Sequence, residues 1–295
     1  MRMRRYVLAM LLCALVLFSC RFVPLASAMD LPVYEPLSRS DWDVAVPELM
    51  GYLPDDAGYM DGALSVRIEE RTIRNTRVYF TFVDLSDVHQ FRSATFRKYP
   101  SKDTGSVAYM AKRENAVLAI NADWFTKRKE GTVYRDGICV RDHANGVFDG
   151  LVVDDQGDFH ILHRPDRKDY AAFEGRIWQS FVFGPGLVID GEITEDFGVK
   201  TLSPNRRTQR QVICQMDHLS YLIITTEGPE QSRDGGFTLK EMAEMAWEMG
   251  ARQAYNMDGG SSVWLVLGDE KLNARGKKLN VGDCLYFVSE IQGAD

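Results

Sequence analysis

The run Tyr255-Asn256-Met257-Asp258-Gly259-Gly260-Ser261-Ser262 gathers a carboxylate, two glycines and two hydroxyls. Glycine tolerates positive φ and lets the backbone come close to a ligand. N–H groups exposed in such a turn can line a concavity that holds an anion. Asp258 beside it could serve as acid, base or nucleophile, with Gly259, Gly260 and Ser261 as substrate contacts. The competing reading is a plain Asp-Gly hairpin that joins 253–257 to 263–267.

Further polar clusters interrupt apolar runs. Asn121-Ala122-Asp123-Trp124-Phe125 follows the apolar stretch 116–120. Asn121 could hold a sugar hydroxyl or amide with both ends of its own amide. Asp123 could act as acid or base, and Trp124 or Phe125 could stack on a sugar face. The alternative is an Asx turn at a strand end, with the aromatics in the core. Ser203-Pro204-Asn205-Arg206-Arg207-Thr208 precedes the run 211–216. An arginine fork matches phosphate or carboxylate, so Arg207 and Thr208 are candidate anion ligands, against a merely solvated basic loop. Glu227-Gly228 follows 221–225 and is a further candidate contact. The histidines are less informative: His160 and His163 do not share a strand face, and His89, His143 and His218 lie in polar surroundings.

These clusters need strands to position them. Residues 77–83 are β-branched and aromatic, and similar runs lie at 116–121, 150–153, 159–162, 177–183, 211–216, 221–225, 253–257, 263–267 and 284–289. Several are continuously apolar, which predicts strands covered on both faces. Thr238 and Glu241 form a capping box. It opens a helix whose apolar face is Leu239, Met242, Ala243, Ala246 and Met249, and Gly250 marks its stop. A weaker helix is predicted over 106–113. The pattern implies an α+β fold of mixed α/β character: a strand-rich mixed sheet core with a few packed helices in a single catalytic domain. That domain is expected over 76–295, with 29–75 as an N-terminal arm and fold entry.

Residues 1–28 read as an export signal: Arg2, Arg4 and Arg5, an apolar run from Val7 to Phe18, then Ala26-Ser27-Ala28. The expected destination is periplasmic or extracellular, with lipid attachment through Cys20 as the lesser alternative. Removing that segment takes away four arginines and no acids, so the formal charge moves from −7 to −11. An acidic exported chain argues against nucleic acid or an anionic membrane as partner. Cys139, Cys214 and Cys284 remain, with their disulfide status open and burial expected for Cys214 and Cys284. No spacing suggests zinc. No cofactor is required, and a calcium or magnesium ion stays compatible with the sequence.

Read in order, the segments resemble the phosphodiester glycosidase family over about Asn115 to Glu290. The resemblance rests on Ala119–Phe125, Gly184-Pro185-Gly186-Leu187-Val188-Ile189-Asp190-Gly191, Arg207-Thr208, the helix from Thr238 to Gly250 entered through Gly235-Gly236, and Asn256-Met257-Asp258-Gly259-Gly260. It implies hydrolysis of a sugar-1-phosphodiester to free sugar and phosphomonoester. Asp258 and Asp123 are then the carboxylate candidates, and Asn121, Arg207, Thr208, Glu227 and the turn the substrate contacts. Three departures bear on the substrate. Ala122 replaces a common glycine and could narrow the sugar pocket. Gln209-Arg210-Gln211 replaces small apolar residues, so Arg210 could add an anion contact. Glu227 stands in place of aspartate. The competing functions are a glycan- or phosphoglycan-binding module without catalysis, and a phosphodiesterase with a cation held by Asp123, Glu227 and Asp258.

Overall fold

The structure, a computed structural model, describes residues 31–34, 51–54, 58–197, 202–228, 235–273 and 279–289. Residues 1–28, expected to be an export signal, lie with Cys20 outside the described residues. Among those described, no helix is long and apolar enough to cross a membrane.

Every apolar run named above contains a strand. Thr76–Leu85, Ser220–Thr226, Gln211–Asp217, Gln253–Asn256 and Gly186–Ile189 lie side by side in a nine-stranded sheet. Leu118–Asn121 is the middle strand of a five-stranded sheet, between Leu265–Leu267 and Asp283–Phe287. Gly150–Asp154, Phe159–Leu162 and Ile177–Phe181 form a third sheet. The pairings among the described strands are antiparallel, so the sheets are not mixed in direction.

The stretch expected to be an arm contains Leu64–Ile73, which pairs with Thr76–Leu85 along its whole length. The expected boundary at 75/76 therefore falls inside a hairpin. Charged residues on Leu64–Ile73 hide its strand pattern, because Leu64, Ser65, Val66 and Ile73 are buried while the charged stretch 67–71 between them is partly exposed.

Side-chain alternation builds a shared core. Val83, Ile213, Ile223 and Tyr255 from the large sheet meet Leu118, Ile120, Leu265, Leu285 and Phe287 from the smaller one. Val212, Cys214, Leu222 and Ile224, on the alternate positions, are buried too, as continuously apolar strands require. Helix Leu239–Glu248 packs on Gly186–Ile189 and Gln253–Asn256. Its capping box is present, with Thr238 Oγ1 accepting from the Glu241 N–H at 3.3 Å and the Thr238 N–H donating to Glu241 Oε2 at 2.9 Å. Helix Val107–Arg113 is capped by Ser106 and packs on Asp283–Phe287 and Leu118–Asn121. Arg167–Ala171, capped by Asp166, is a short helix without apolar periodicity to announce it. Cys214 and Cys284 are buried free thiols, and Cys139 is a free thiol at the surface.

Candidate active site

The Asp258 turn is not a hairpin. The strand before it, Gln253–Asn256, pairs with Gln211–Asp217 in the large sheet. The strand after it, Leu265–Leu267, pairs with Leu118–Asn121 in the smaller sheet. The turn therefore crosses from one sheet to the other, and it meets two of the polar clusters on the way. The Asp258 N–H donates to Ala122 O at 3.2 Å, and the Gly260 N–H donates to Gln209 O at 3.0 Å. Gly260 has φ +62, which an L side chain resists. A Cβ on Gly259 would sit 2.9 Å from Gln209 O, so this close approach requires glycine.

Asn121 fixes the turn. Its Nδ2 donates to Asp258 O at 2.7 Å, and its Oδ1 accepts from the Trp264 N–H at 2.9 Å. Both ends of the amide are used by the protein, so the expected sugar contact becomes a brace under Asp258. Asn256 braces the other side, with Nδ2 donating to Gly184 O at 2.7 Å and its N–H donating to Pro185 O at 3.1 Å. The Gly184-Pro185-Gly186 landmark thus supports the turn.

The Asp258 carboxyl lines a cleft of ≈ 310 Å³ with Trp124, Lys127, Arg128, Glu130, Phe148, Phe183 and Leu202. Burial pushes it up to about 6, against hydrogen bonds from the Ser262 hydroxyl and the Gly259 N–H and the nearby Arg128 charge, while Asp123 pushes the same way as burial. The N–H groups of Gly259 and Gly260 point to Asp258 and to Gln209 O. They do not form the open anion concavity expected of them. The Ser261 carbonyl accepts from the Leu279 N–H at 2.8 Å.

Asp123 lies behind this cleft rather than in it. It is buried, with Oδ2 accepting from the Val182 N–H at 2.8 Å and Oδ1 from Arg135 Nη2 at 3.4 Å. Arg135 also donates to Asp283 Oδ2 at 2.6 Å, and the Asp283 carboxyl is hydrogen-bonded to Asp123. Burial and then the Asp123 charge hold Asp283 well above the usual carboxylate range. Asn121, Ala122 and Asp123 are all buried where the strand Leu118–Asn121 ends. Ala122, expected to narrow a pocket, is a core residue.

The second cluster is held by its own surroundings. The Arg207 guanidinium meets the Glu241 carboxylate, which Arg74 also meets, and donates to Gly236 O at 3.2 Å. Thr208 bridges to Phe237, and its hydroxyl lies 3.9 Å from where a Gly260 Cβ would be. Arg210 donates to the carbonyls of Leu202, Ser203, Arg206 and Phe237. It stitches the loop, so the expected extra anion contact is not on offer. Glu227 is buried beside Arg77, whose carbonyl accepts the Glu227 N–H at 2.9 Å, and it is not among the cleft residues. No cluster of three or more His, Cys, Asp or Glu side chains placed to hold a metal ion occurs among the described residues. Asp123, Glu227 and Asp258 do not assemble the cation set considered above.

The cleft residues Lys127, Arg128, Glu130, Phe148, Phe183 and Leu202 were not singled out by the sequence reading. Arg128 donates to Val182 O at 2.7 Å and Phe183 O at 3.3 Å, and its guanidinium stacks 3.7 Å over the Phe148 ring. Burial lowers its pKa. Lys127 and Arg128 stand only two and three residues beyond Phe125, so extending the first cluster by one turn would have reached them. Phe148, Phe183 and Leu202 carry no local signal.

Comparison with known proteins gives a consistent picture. The sequence model of the phosphodiester glycosidase family matches residues 114–288. The SPbeta prophage-derived uncharacterized protein YomE of Bacillus subtilis (strain 168) is 29% identical over 174 residues, 57% of this chain. That match spans only 27% of YomE. The catalytic domain of zebrafish N-acetylglucosamine-1-phosphodiester alpha-N-acetylglucosaminidase, solved auto-inhibited by its pro-peptide, superposes with TM-score 0.62 at 16% identity, covering 82% of this chain and 87% of that one. A hypothetical protein from Synechocystis superposes with TM-score 0.61 at 14% identity, covering 78% and 63%. A putative exported protein from Burkholderia pseudomallei K96243 does so with TM-score 0.52 at 12% identity, covering 72% and 74%. At these identities the structures establish a shared fold.

Proposed function

We propose, because the chain belongs to the phosphodiester glycosidase family, that it is an exported hydrolase cleaving a sugar-1-phosphodiester to free sugar and a phosphomonoester. The observation that carries this reading is the Asp258 carboxyl, buried in an aromatic-walled cleft with its pKa lifted to about 6. Such a group can both give and take a proton near neutral pH. The C1–O bond breaks and the water oxygen bonds to C1. One water proton stays on the new hydroxyl, and the other passes by way of Asp258 to the phosphomonoester. The phosphate leaves as a stabilised anion, so it needs less protonation than an alkoxide. Trp124, half exposed on the cleft wall, suits stacking on a sugar face. Asp123 serves as a positioning residue. It holds the Val182 N–H while Arg128 holds the Val182 carbonyl, which sets the Phe183 wall. The export signal at 1–28 directs the activity to envelope or extracellular glycans.

The test is turnover of sugar-1-phosphodiesters in H₂¹⁸O, beginning with the N-acetylglucosamine diester that the zebrafish enzyme's name specifies. Label at C1 of the released sugar supports the proposal. Label in the phosphate would mean P–O cleavage and would overturn it. Saturable binding with no product from any diester would make the protein a glycan-binding module.

A further inference from the structure

A cleft that takes a phosphodiester needs a cation free to meet it, and the basic groups around this one are unequally available. Arg207 is held by Glu241 and Gly236 O. Arg210 is tied to loop carbonyls. Arg128 is buried, directed at Val182 O and Phe183 O, and covered by Phe148. Lys127 differs from all of these. It lines the cleft and is exposed, and its ammonium has no hydrogen bond or ion pair among the described residues. Its backbone is nevertheless fixed. The Lys127 and Arg128 N–H groups both donate to Trp124 O, at 3.1 and 2.9 Å, so the lysine stem springs from a closed turn that also carries Trp124.

We propose that Lys127 is the phosphate-holding residue of this cleft, and that it selects a singly charged phosphodiester over a doubly charged phosphomonoester. The proposal rests on the sugar-phosphodiester reading and names the group that recognises its anion. Selectivity follows from the lining. Lys127 shares the cleft with Glu130 and Asp258, two acidic side chains. One available ammonium neutralises one phosphate charge. A second phosphate charge would face those carboxylates in a partly desolvated site, where like charges repel strongly. The same balance favours release of the phosphomonoester product. Trp124, on the same turn, lines the same cleft, where it can meet the sugar joined to that phosphate.

The test separates this site from the chemistry. The lysines of the intact mature protein are reductively ¹³C-methylated, which keeps their charge, and the Lys127 signal is assigned with Lys127→Arg. Dimethyl phosphate, a diester with no sugar, is titrated in at pH 8, then inorganic phosphate. The expected result is a saturable shift at Lys127 with no saturable shift at the exposed neighbour Lys129. Saturation by dimethyl phosphate should come at several-fold lower concentration than by inorganic phosphate. The Arg207→Met variant should keep the response. A Lys127 signal that fails to saturate, or moves only as Lys129 does, overturns the proposal. So does loss of the response in Arg207→Met, or tighter binding of inorganic phosphate. A saturable Lys127 response in a protein that hydrolyses no sugar diester would retain the phosphate site and reject the glycosidase reading instead.

Discussion

Asn121 Nδ2 donates to the main-chain oxygen of Asp258 at 2.7 Å, across 137 residues of sequence. Its Oδ1 accepts from Trp264 beyond the turn, so one buried amide spans the Asp258 crossover from below. Asn121→Asp replaces the donor with an acceptor facing a carbonyl. Asn121→Ala leaves a carbonyl and an N–H buried without partners, at about 1–3 kcal/mol each. Both variants should lose roughly 2–6 kcal/mol in urea unfolding, and turnover should fall in whatever fraction remains folded. Wild-type stability in Asn121→Ala would show that the clamp is dispensable.

Asp258 links stability to pH in a direction that separates it from an ordinary paired carboxylate. Burial lifts its pKa to about 6, above the ordinary carboxylate value of 3.8. Between those values the folded state binds the extra proton. The stabilisation is therefore complete below about pH 4 and is lost as pH rises through about 6. That difference corresponds to about 3 kcal/mol. Asp258→Asn cannot ionise. It should match wild type near pH 4 and exceed it at pH 8 by up to about 3 kcal/mol, while turnover drops by about 100-fold or more. Parallel stability curves for the two proteins across pH 4–8 would contradict the buried, uplifted carboxyl.

How far the sequence revealed this site depends on what each residue needs from its neighbours. The Asp258 turn and the Thr238–Glu241 capping box are local devices, so their residue types announce them. Asn121 and Asp123 also stood out, but both are buried, and residue type does not tell a brace from a ligand. Arg207 was found by type. Its partner Glu241 lies 34 residues on, already explained as a cap, so the ion pair was invisible. Phe148, Phe183 and Leu202 become cleft walls only when separate segments fold together. The strand Leu64–Ile73 was hidden for a different reason, since Arg67, Glu69, Glu70 and Arg71 interrupt its apolar pattern between the buried ends.

Two glycines with similar backbone strain separate steric from conformational cost. Gly250, at φ +87, ends helix Leu239–Glu248 with nothing within 4 Å of an added Cβ. Gly236, at φ +83, would place a Cβ 2.7 Å from the Thr208 nitrogen. Gly250→Ala should cost about 1–2 kcal/mol from the left-handed conformation alone, with activity kept. Gly236→Ala adds a backbone collision worth about 1–3 kcal/mol more. It also displaces Thr208 beside the Asp258 turn, so turnover should fall as well. Equal losses in thermal unfolding for the two variants would remove the steric argument.

Behind the cleft, Arg135 is the cation between two buried acids, donating to Asp283 at 2.6 Å and to Asp123 at 3.4 Å. Asp283 is held far above its usual range by burial and by Asp123, which favours the neutral form of its carboxyl. Asn resembles a protonated carboxyl in shape and in donating capacity. Asp283→Asn should therefore be tolerated within about 1 kcal/mol. Arg135→Met removes the only basic side chain paired with these two acids among the described residues and leaves a buried carboxylate uncompensated. It should cost about 3–5 kcal/mol, or prevent folding at neutral pH. Arg135→Met that is as stable as Asp283→Asn at pH 7 would show that the pair carries no net buried charge.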